Sequence, residues 1–340
     1  MTGGTMATIE EVARAAGVST ATVSRALREQ SGVSERTRKR VRTVAEELDY
    51  SISRSASGLA TGRTRRIGVL VPYVSRWFFG QVLAGAEEVL RSAGYDLMLY
   101  VVGDREGRER FFRELPVRRS VDAVLVLTLS LREKEADRLR ELGVPLGFVG
   151  GRMDGFNSVW IDDYGGGMLA VRHLLNQGNR DIALIHGGAP DSLNLPAPHE
   201  RCTAFRDAMA EYGVPVRESW LCTGDFSVSG GRRAMNRILA DELRPTAVFA
   251  MSDEMAFGAL HALRDHKLSV PREMMIVGFD GHEMAECSGL STVVQPVHEE
   301  GATAARLLLE QLQQGGDETR DVVLSTELVV RSSTTGHDSM

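Results

Sequence analysis

The sequence predicts an all-α N-terminal head followed by a two-lobed α/β domain with parallel sheets and helices on both faces. Up to about residue 50, apolar residues recur with the helical period, and a basic stretch rich in serine follows at 51–66. From Ile67 onward, short apolar runs alternate with amphipathic stretches, which is the pattern of parallel strands connected by helices. The remaining length, about 270 residues, suits two such sheets with a cleft between them.

The head begins with the signature of a helix N-terminus, since Thr8 and Glu11 have the spacing of a capping box. The apolar positions that follow lie on one helical face: Ile9, Val12, Ala13 and Ala16. Gly17 is placed to end this helix, and Ser19 can cap a second helix over Thr20–Leu27. Two short helices joined by a glycine-bearing turn predict a helix-turn-helix.

The second helix has an apolar face formed by Val23, Ala26 and Leu27. Its opposite face is small, hydroxylated and basic: Thr20, Ala21, Ser24, Arg25 and Arg28. Such a face suits the DNA major groove, where an arginine can bond bidentately to guanine and small methyl groups can meet thymine methyls.

A third helix follows the cap residue Ser34. Its apolar face is predicted to contain Val41, Val44, Ala45 and Leu48, and its other face is basic, with Arg36, Arg38, Lys39, Arg40 and Arg42. Residues 1–66 hold 12 Lys/Arg and 7 Asp/Glu, which gives a net charge of +5. Because the whole chain has a net charge of −6, residues 67–340 carry −11. This division indicates that only the head approaches a polyanion. The alternative is a three-helix protein-docking module with a solvated basic surface.

The string Ala7–Leu27, with Val33-Ser34 and Leu48-Asp49-Tyr50, closely resembles the head of the lactose-repressor (LacI/GalR) family of transcriptional regulators. In that family the first two residues of the recognition helix, and the arginine five positions along, contact bases. The resemblance therefore implies sequence-specific binding of double-stranded operator DNA by a homodimer. The predicted DNA contacts on the head are Ser19, Thr20, Ala21, Ser24 and Arg25.

The segment 51–66 contains arginines and no acid, and by its composition it is a flexible basic linker. Arg54–Ala60 resembles the family's hinge helix, which folds only on operator DNA and wedges a leucine into the minor groove. Arg54 and Leu59 are accordingly predicted DNA contacts. Ile52-Ser53 replaces the family's Pro-Asn, and Gly58 weakens a helix by about 1 kcal/mol relative to alanine. We expect a hinge helix that is poorly formed off DNA, with a plain tether as the alternative.

The larger domain has seven predicted strands: Ile67–Val71, Leu97–Val102, Val121–Leu127, Leu146–Val149, Ile182–His186, Thr246–Met251 and Met275–Phe279. Helices are predicted over Phe79–Ala93, Arg132–Leu142, Gly167–Gln177, Glu254–His266 and His298–Gln314. Ligands of such sheets bind at the carboxyl ends of the strands. Acids and aromatic rings follow several strand ends, and together they suit a polyhydroxylated ligand. The structural alternatives are helix caps for the aspartates and core positions for Phe78 and Phe79.

The resemblance continues through this domain, whose fold is similar to that of periplasmic sugar-binding proteins. Matching motifs are Asp162–Gly167, Gly178–Ala183, Pro245–Ala250, Val277–Asp280 and Leu328–Ser333, so the resemblance spans about residues 7–334. The effector contacts that it implies are Phe78, Phe79, Asp162, Arg201, Phe226, Ser252, Asp253, Asp280 and Gln295. Two departures affect the ligand: Arg76-Trp77 replaces the family's Asn-Pro, and Ser252 replaces a frequent asparagine.

We therefore expect five segments: a disordered N-terminus at 1–6, a helix-turn-helix domain at 7–50, a hinge at 51–66, an effector-binding and dimerisation domain at 67–334, and a tail at 335–340. Met1–Met6 lacks the basic region of a signal peptide, and the apolar runs are too short to cross a bilayer. The three cysteines have no disulfide or metal-ligand spacing. We expect a cytoplasmic protein, associated with the nucleoid when bound to DNA, with no membrane association, no cofactor and no metal.

An enzyme is disfavoured because the sequence has no dinucleotide, P-loop or nucleophile-elbow motif, and Gly165-Gly166-Gly167 is better explained by close helix packing or a tight turn. A periplasmic binding protein is disfavoured by the DNA-binding head. The expected function is repression of carbohydrate-utilisation genes, with release from a palindromic operator by a small sugar-like effector. The alternative is a corepressor-dependent regulator that senses a non-sugar metabolite or a partner protein.

Overall fold

A computed structural model describes residues 7–27, 29, 31–50, 63–188, 196–316 and 318–335. These residues form two compact units, which divide between Arg65 and Arg66. The predicted disordered N-terminus, the hinge contacts Arg54 and Leu59, and most of the predicted tail lie outside the described residues. Within the described ranges, no helix is long and apolar enough to span a bilayer.

The first unit consists of α1 (Ile9–Ala16), α2 (Thr20–Leu27) and α3 (Glu35–Glu47). The capping box is present, because Thr8 N donates to the Glu11 carboxylate at 2.7 Å and Glu11 N donates to Thr8 Oγ1 at 3.4 Å. Gly17 takes a left-handed φ of +63° at the end of α1 and so permits the tight turn into α2. The predicted helix-turn-helix is thus confirmed.

The core of the head joins all three helices, with Val12, Val23, Ala26 and Val41 completely buried. Two positions of α3 differ from the prediction. Leu48 is 37% exposed, because α3 ends at Glu47 and Leu48 caps the helix instead of continuing its apolar face. The Arg38 side chain is only 15% exposed, so it does not belong to the outer basic face.

The second unit contains nine described α-helices, named in chain order: α4 (Trp77–Ser92), α5 (Arg105–Glu114), α6 (Glu133–Arg140), α7 (Asp163–Asn176), α8 (Pro196–Glu211), α9 (Val228–Leu239), α10 (Asp253–Asp265), α11 (Met284–Cys287) and α12 (Val297–Gln314). Its described strands are β1 (Arg66–Val71), β2 (Asp96–Val101), β3 (Ala123–Leu127), β4 (Leu146–Val149), β5 (Asn157–Ile161), β6 (Ile182–His186), β7 (Leu221–Thr223), β8 (Ala247–Ala250), β9 (Met275–Asp280), β10 (Ser291–Val294), β11 (Asp321–Leu324) and β12 (Glu327–Val329).

The strands form two six-stranded sheets, one in each lobe. The first has the order β11-β5-β4-β3-β1-β2 and is entirely parallel. The second has the order β12-β10-β9-β8-β6-β7, in which only the described β10–β12 pair is antiparallel. The chain passes between the lobes three times, after β5, after β10 and after β11. The predicted two-lobed parallel architecture is confirmed.

All seven predicted strands are present, but β5, β7, β10, β11 and β12 were not predicted. These strands are short, and their sequences lack a clear apolar run. β10 opens with Ser291 and Thr292, both completely buried, and β11 alternates between exposed and half-buried residues at a sheet edge. Tertiary pairing, rather than local composition, makes these segments strands.

Candidate functional site: the recognition face and the cleft

The exposed side of α2, together with Ser19 just before it, carries the five predicted DNA contacts of the head. Ser19 Oγ accepts a hydrogen bond from Thr22 N at 3.2 Å and so caps the helix. The side chains of Thr20, Ala21 and Arg25 are exposed and that of Ser24 is half-buried, while Val23 and Ala26 are buried in the core on the other side. The helix therefore presents a small polar surface with one arginine, which has the size and chemistry of a major-groove contact.

A cavity of about 440 Å³ lies between the two lobes of the second unit. Seven of the nine predicted effector contacts line it: Phe78, Phe79, Arg201, Phe226, Ser252, Asp280 and Gln295. Phe78 and Phe79 come from the start of α4 in one lobe. The others come from the second lobe: from α8, from the loop between β7 and α9, from the cap of α10, and from the ends of β9 and β10. The volume is within the range of small-molecule sites, about 300–1,000 Å³.

The other two predicted contacts, Asp162 and Asp253, do not line the cavity. Asp162 is exposed and caps α7, its Oδ1 accepting from Gly165 N at 2.7 Å. Asp253 is completely buried, accepting from Thr292 Oγ1 and from His282 N at 2.7 Å each, and burial raises its pKa to about 7. Asp162 therefore has the helix-cap role named as the alternative, whereas Asp253 has a different structural role, in which it joins the start of α10 to Thr292 and His282. The neighbouring Asp163 lines the cavity instead.

Arg201 is the centre of a buried polar group. It is only 4% exposed; its Nε donates to Asp163 Oδ1 at 2.7 Å, and its Nη1 donates to the Met251 carbonyl at 2.6 Å. Nη1 also lies 3.7 Å from Asp280 Oδ1, and the guanidinium stacks 3.5 Å from the centroid of the Phe279 ring. A charge buried in this way is held in one orientation by its partners, so the side chain is preorganised.

Asp280 is the last residue of β9, and it accepts a hydrogen bond from Gln295 Nε2 at 2.7 Å. Its φ of +121° is a conformation that only glycine adopts without strain. Strain of this kind costs on the order of 1–3 kcal/mol and clusters at ligand sites. Burial raises the pKa of the Asp280 carboxyl well above its usual value, against the opposing effect of Arg201.

Aromatic rings form the apolar part of the cavity. Phe78 and Phe79 pack edge to face at 5.3 Å. Phe226 packs against Gly187 so closely that a Cβ there would come within 1.9 Å of its ring. Of the two explanations expected for the Gly165–Gly167 run, close packing accounts for two of its glycines: a Cβ at Gly166 would meet the Phe279 ring at 2.8 Å, and one at Gly167 would meet Ala204 Cβ on α8 at 2.8 Å.

The lobes touch directly through Trp77 at the start of α4. Its ring stacks on His282 with centroids 4.7 Å apart, and its indole Nε1 donates to the Glu283 carboxylate. Its backbone N donates to Glu254 Oε2 at 3.3 Å. His282, Glu283 and Glu254 all belong to the other lobe, so Trp77 bridges the two lobes.

Several cavity residues were missed by the sequence analysis, chiefly Asp163, Glu254 and Glu300. Asp163 is adjacent to the predicted contact Asp162 in the motif Asp162–Gly167, but Asp162 caps α7 and Asp163 is the one that faces the cleft. Glu254 and Glu300 lie in the first turns of helices, where acidic residues are common for reasons of helix stability. No signal in the sequence separates them from ordinary helix-start acids.

The fold and site define a DNA-binding regulator with a ligand-sized cavity, and comparison with known proteins agrees. Residues 8–53 match the family described as bacterial regulatory proteins, lacI family, and residues 171–334 match a periplasmic binding protein-like domain. The HTH-type transcriptional repressor PurR of Vibrio parahaemolyticus is 33% identical over 333 residues, covering 96% of this chain and 98% of that protein. Catabolite control protein A of Priestia megaterium is 30% identical, covering 96% and 99%.

Solved structures give the same result. The lac repressor dimer bound to operator and the anti-inducer ONPF superimposes with a TM-score of 0.85 at 26% identity, covering 98% of this chain and 100% of that one. The complex of the transcriptional regulator CelR with cellobiose has a TM-score of 0.71 at 31% identity, covering 96% and 99%. The chain belongs to the lacI family. It is a DNA-binding transcriptional repressor and not an enzyme, as the sequence predicts.

Proposed function

We propose that this repressor binds a palindromic operator as a homodimer and releases it when a small sugar-like effector fills the cleft, controlling carbohydrate-utilisation genes. The observation that carries the proposal is the cavity itself. Buried carboxylates at Asp163 and Asp280 surround a fixed Arg201, and the Phe78, Phe79 and Phe226 rings complete the wall. Carboxylates accept hydrogen bonds from hydroxyls, and rings cover the apolar face of a sugar.

Two structural neighbours support a saccharide. CelR is similar over the full chain and its structure contains cellobiose. A LacI-family regulator from Enterococcus faecium, 30% identical with a TM-score of 0.68, covers 79% of this chain and has bound ribose. The acids of the cleft favour a ligand rich in donors over an anion, because a carboxylate ligand would meet like charge.

A dimer is proposed because α2 is one short recognition helix of eight residues, which makes few base contacts. Two copies related by a two-fold axis would double those contacts on a palindromic site. The lac repressor neighbour is a dimer on its operator. Arg54 and Leu59 are proposed to add minor-groove contacts, as the resemblance implies.

The test is selection of operator from a random DNA pool by the full-length protein, followed by gel shift with a panel of sugars. Release by at least one sugar is the expected result. Arg201→Ala and Asp280→Ala should block release while leaving operator binding nearly unchanged. Tighter operator binding with a ligand would indicate the corepressor alternative, and indifference to every sugar would overturn the sugar proposal.

A further inference from the structure

Glu300 is a buried carboxyl group at the cavity wall that the contacts above leave unexplained. It is 1% exposed and lines the cavity, yet neither of its side-chain oxygens has a hydrogen-bond partner among the described residues. A buried acceptor without a partner destabilises the folded protein, and more so if it is charged. A group of this kind in a cavity points to a ligand that supplies the missing donor.

The position of Glu300 makes it the acid that faces the cleft from the opposite lobe. It lies in the first turn of α12, a helix that packs on α4 and on β3, β4 and β5 of the first sheet. Asp163, Arg201 and Asp280 belong to the other lobe. The carboxyls of Asp163 and Asp280 and the guanidinium of Arg201 all interact electrostatically with Glu300. A ligand group between them would therefore contact both lobes.

The buried ionisable groups at this wall of the cavity include more acids than bases. Three buried carboxyls, those of Asp163, Asp280 and Glu300, share a single buried guanidinium among the described residues. Arg201 is already committed to Asp163 and the Met251 carbonyl. Burial, and after it the two aspartates, raise the pKa of Glu300 well above its usual value, so the charged carboxylate is disfavoured when no cationic partner is beside it.

A neutral hydroxyl would supply one donor to Glu300 and no charge. A protonated amine supplies three donors and the positive charge that the group lacks. We propose that Glu300 forms a subsite for a basic amine of the effector, and that the ligand of this cavity is an amino sugar. This inference rests on the proposed function, which it narrows from a sugar-like effector to one that carries a cation.

The test is isothermal titration calorimetry of the full-length protein with matched sugars: glucose, galactose and mannose, each as the plain hexose, the 2-amino sugar and its N-acetyl derivative. The β-1,4 dimers of glucose, glucosamine and N-acetylglucosamine extend the series to a longer ligand. Acetylation keeps the nitrogen but removes its charge. In at least one series the amino sugar should bind at least about tenfold more tightly than both neutral forms, a difference of about 1.4 kcal/mol.

Glu300→Gln and Glu300→Leu should reduce this preference to about twofold or less, since both remove the carboxylate. Glu299→Gln is the matched control, because Glu299 is the adjacent acid on α12 and is half-exposed and paired with Arg306. It makes the same change in formal charge and should keep the preference. Because a bound cation lowers the pKa of a neighbouring carboxyl, amine binding should also release protons from Glu300. Titrations in phosphate and HEPES should detect this release in the wild type but not in Glu300→Gln.

The outcomes separate the two proposals. If sugars bind but no series shows a preference for the amino sugar over its neutral forms, the amine subsite is overturned and the sugar-responsive repressor stands. A preference for amines that survives both Glu300 variants, or equal proton release in wild type and Glu300→Gln, overturns the assignment to Glu300. If no saccharide of either kind binds, both the proposed function and this inference are overturned.

Discussion

Arg25 and Lys39 are both exposed cations of the head, but they belong to different helices and have different predicted roles. Arg25→Ala should lower discrimination between operator and random DNA by about 1–3 kcal/mol, because one bidentate guanine contact is lost. Lys39→Ala should weaken binding to all sequences alike and lower the salt slope by about one, as expected for a phosphate contact. Salt-dependent binding to both DNAs by fluorescence anisotropy measures both effects. Intact discrimination in Arg25→Ala would refute the assigned recognition face.

The burial of Glu300 should also make the stability of the folded protein depend on pH. Asp163, Asp280 and Arg201 face it, and its folded-state pKa lies well above the unfolded value, so the folded protein binds the extra proton. The wild type should therefore lose stability as pH rises through the range between the two pKa values. Glu300→Gln has no such titrating group, so it should not lose stability in this way. Its free energy of unfolding, measured by urea denaturation, should therefore exceed that of the wild type by an amount that increases from pH 5 to pH 8.

In Glu299→Gln, the effect on the free energy of unfolding should depend on pH in the opposite direction. Hydrogen bonds from Arg306 and Thr303 lower the pKa of Glu299, so its contribution is present above the unfolded pKa and is lost as pH falls through the folded pKa. Glu299→Gln should therefore be less stable than the wild type at neutral pH, and this difference in the free energy of unfolding should vanish in acid. If the two variants had identical pH profiles, the unusual ionisation assigned to Glu300 would be wrong.

At the scale of elements, the start of α4 decides how the lobes meet. Trp77→Ala removes the stack on His282 and the bond to Glu283, and an aromatic stack is worth about 0.5–1.5 kcal/mol. Closure of the lobes should become less favourable, and effector affinity should fall about two- to tenfold. Trp77→Phe retains an aromatic ring, so its effector affinity should fall less than that of Trp77→Ala. Calorimetry measures the affinities, and small-angle scattering measures the opening.

Trp160, on β5 and outside the cavity lining, offers the matched control as Trp160→Phe. This variant should leave effector affinity and the radius of gyration unchanged. An unaltered affinity in Trp77→Ala would mean that the contact between the lobes does not contribute to closure.

At the scale of the whole molecule, we propose that ligand binding and DNA binding are coupled through the hinge at 51–66. A 100-fold fall in operator affinity on effector binding requires about 2.7 kcal/mol of coupling, and the coupling must be reciprocal. Operator DNA should therefore weaken effector binding by the same factor. Calorimetric titration of effector with and without operator measures this, and equal affinities in the two titrations would exclude induction.

Leu59→Ala tests the hinge itself. If Leu59 wedges into the minor groove, the variant should lose most specific binding while effector affinity in the free protein stays at the wild-type value. Operator binding that survives this substitution would favour the plain tether.

The sequence alone determined what depends on neighbours along the chain. The Thr8–Glu11 capping box, the Gly17 turn and the apolar faces of α1 and α2 are local features, because helix caps and helical periodicity act over a few residues. The buried strands from Ile67 to Phe279 were equally clear, since their apolar runs are continuous. These features sufficed for the fold and the DNA-binding head, and the family resemblance supplied seven of the residues that line the cavity.

Only the tertiary structure decided which polar groups face one another. Asp162 and Asp163 are adjacent in sequence, but one caps α7 and the other pairs with Arg201, which is 38 residues away from it. Glu300 resembles any acid in a helix's first turn until the passage of the chain between the lobes sets it opposite two aspartates. Burial and charge balance are properties of groups that are distant in sequence, so no local pattern encodes them.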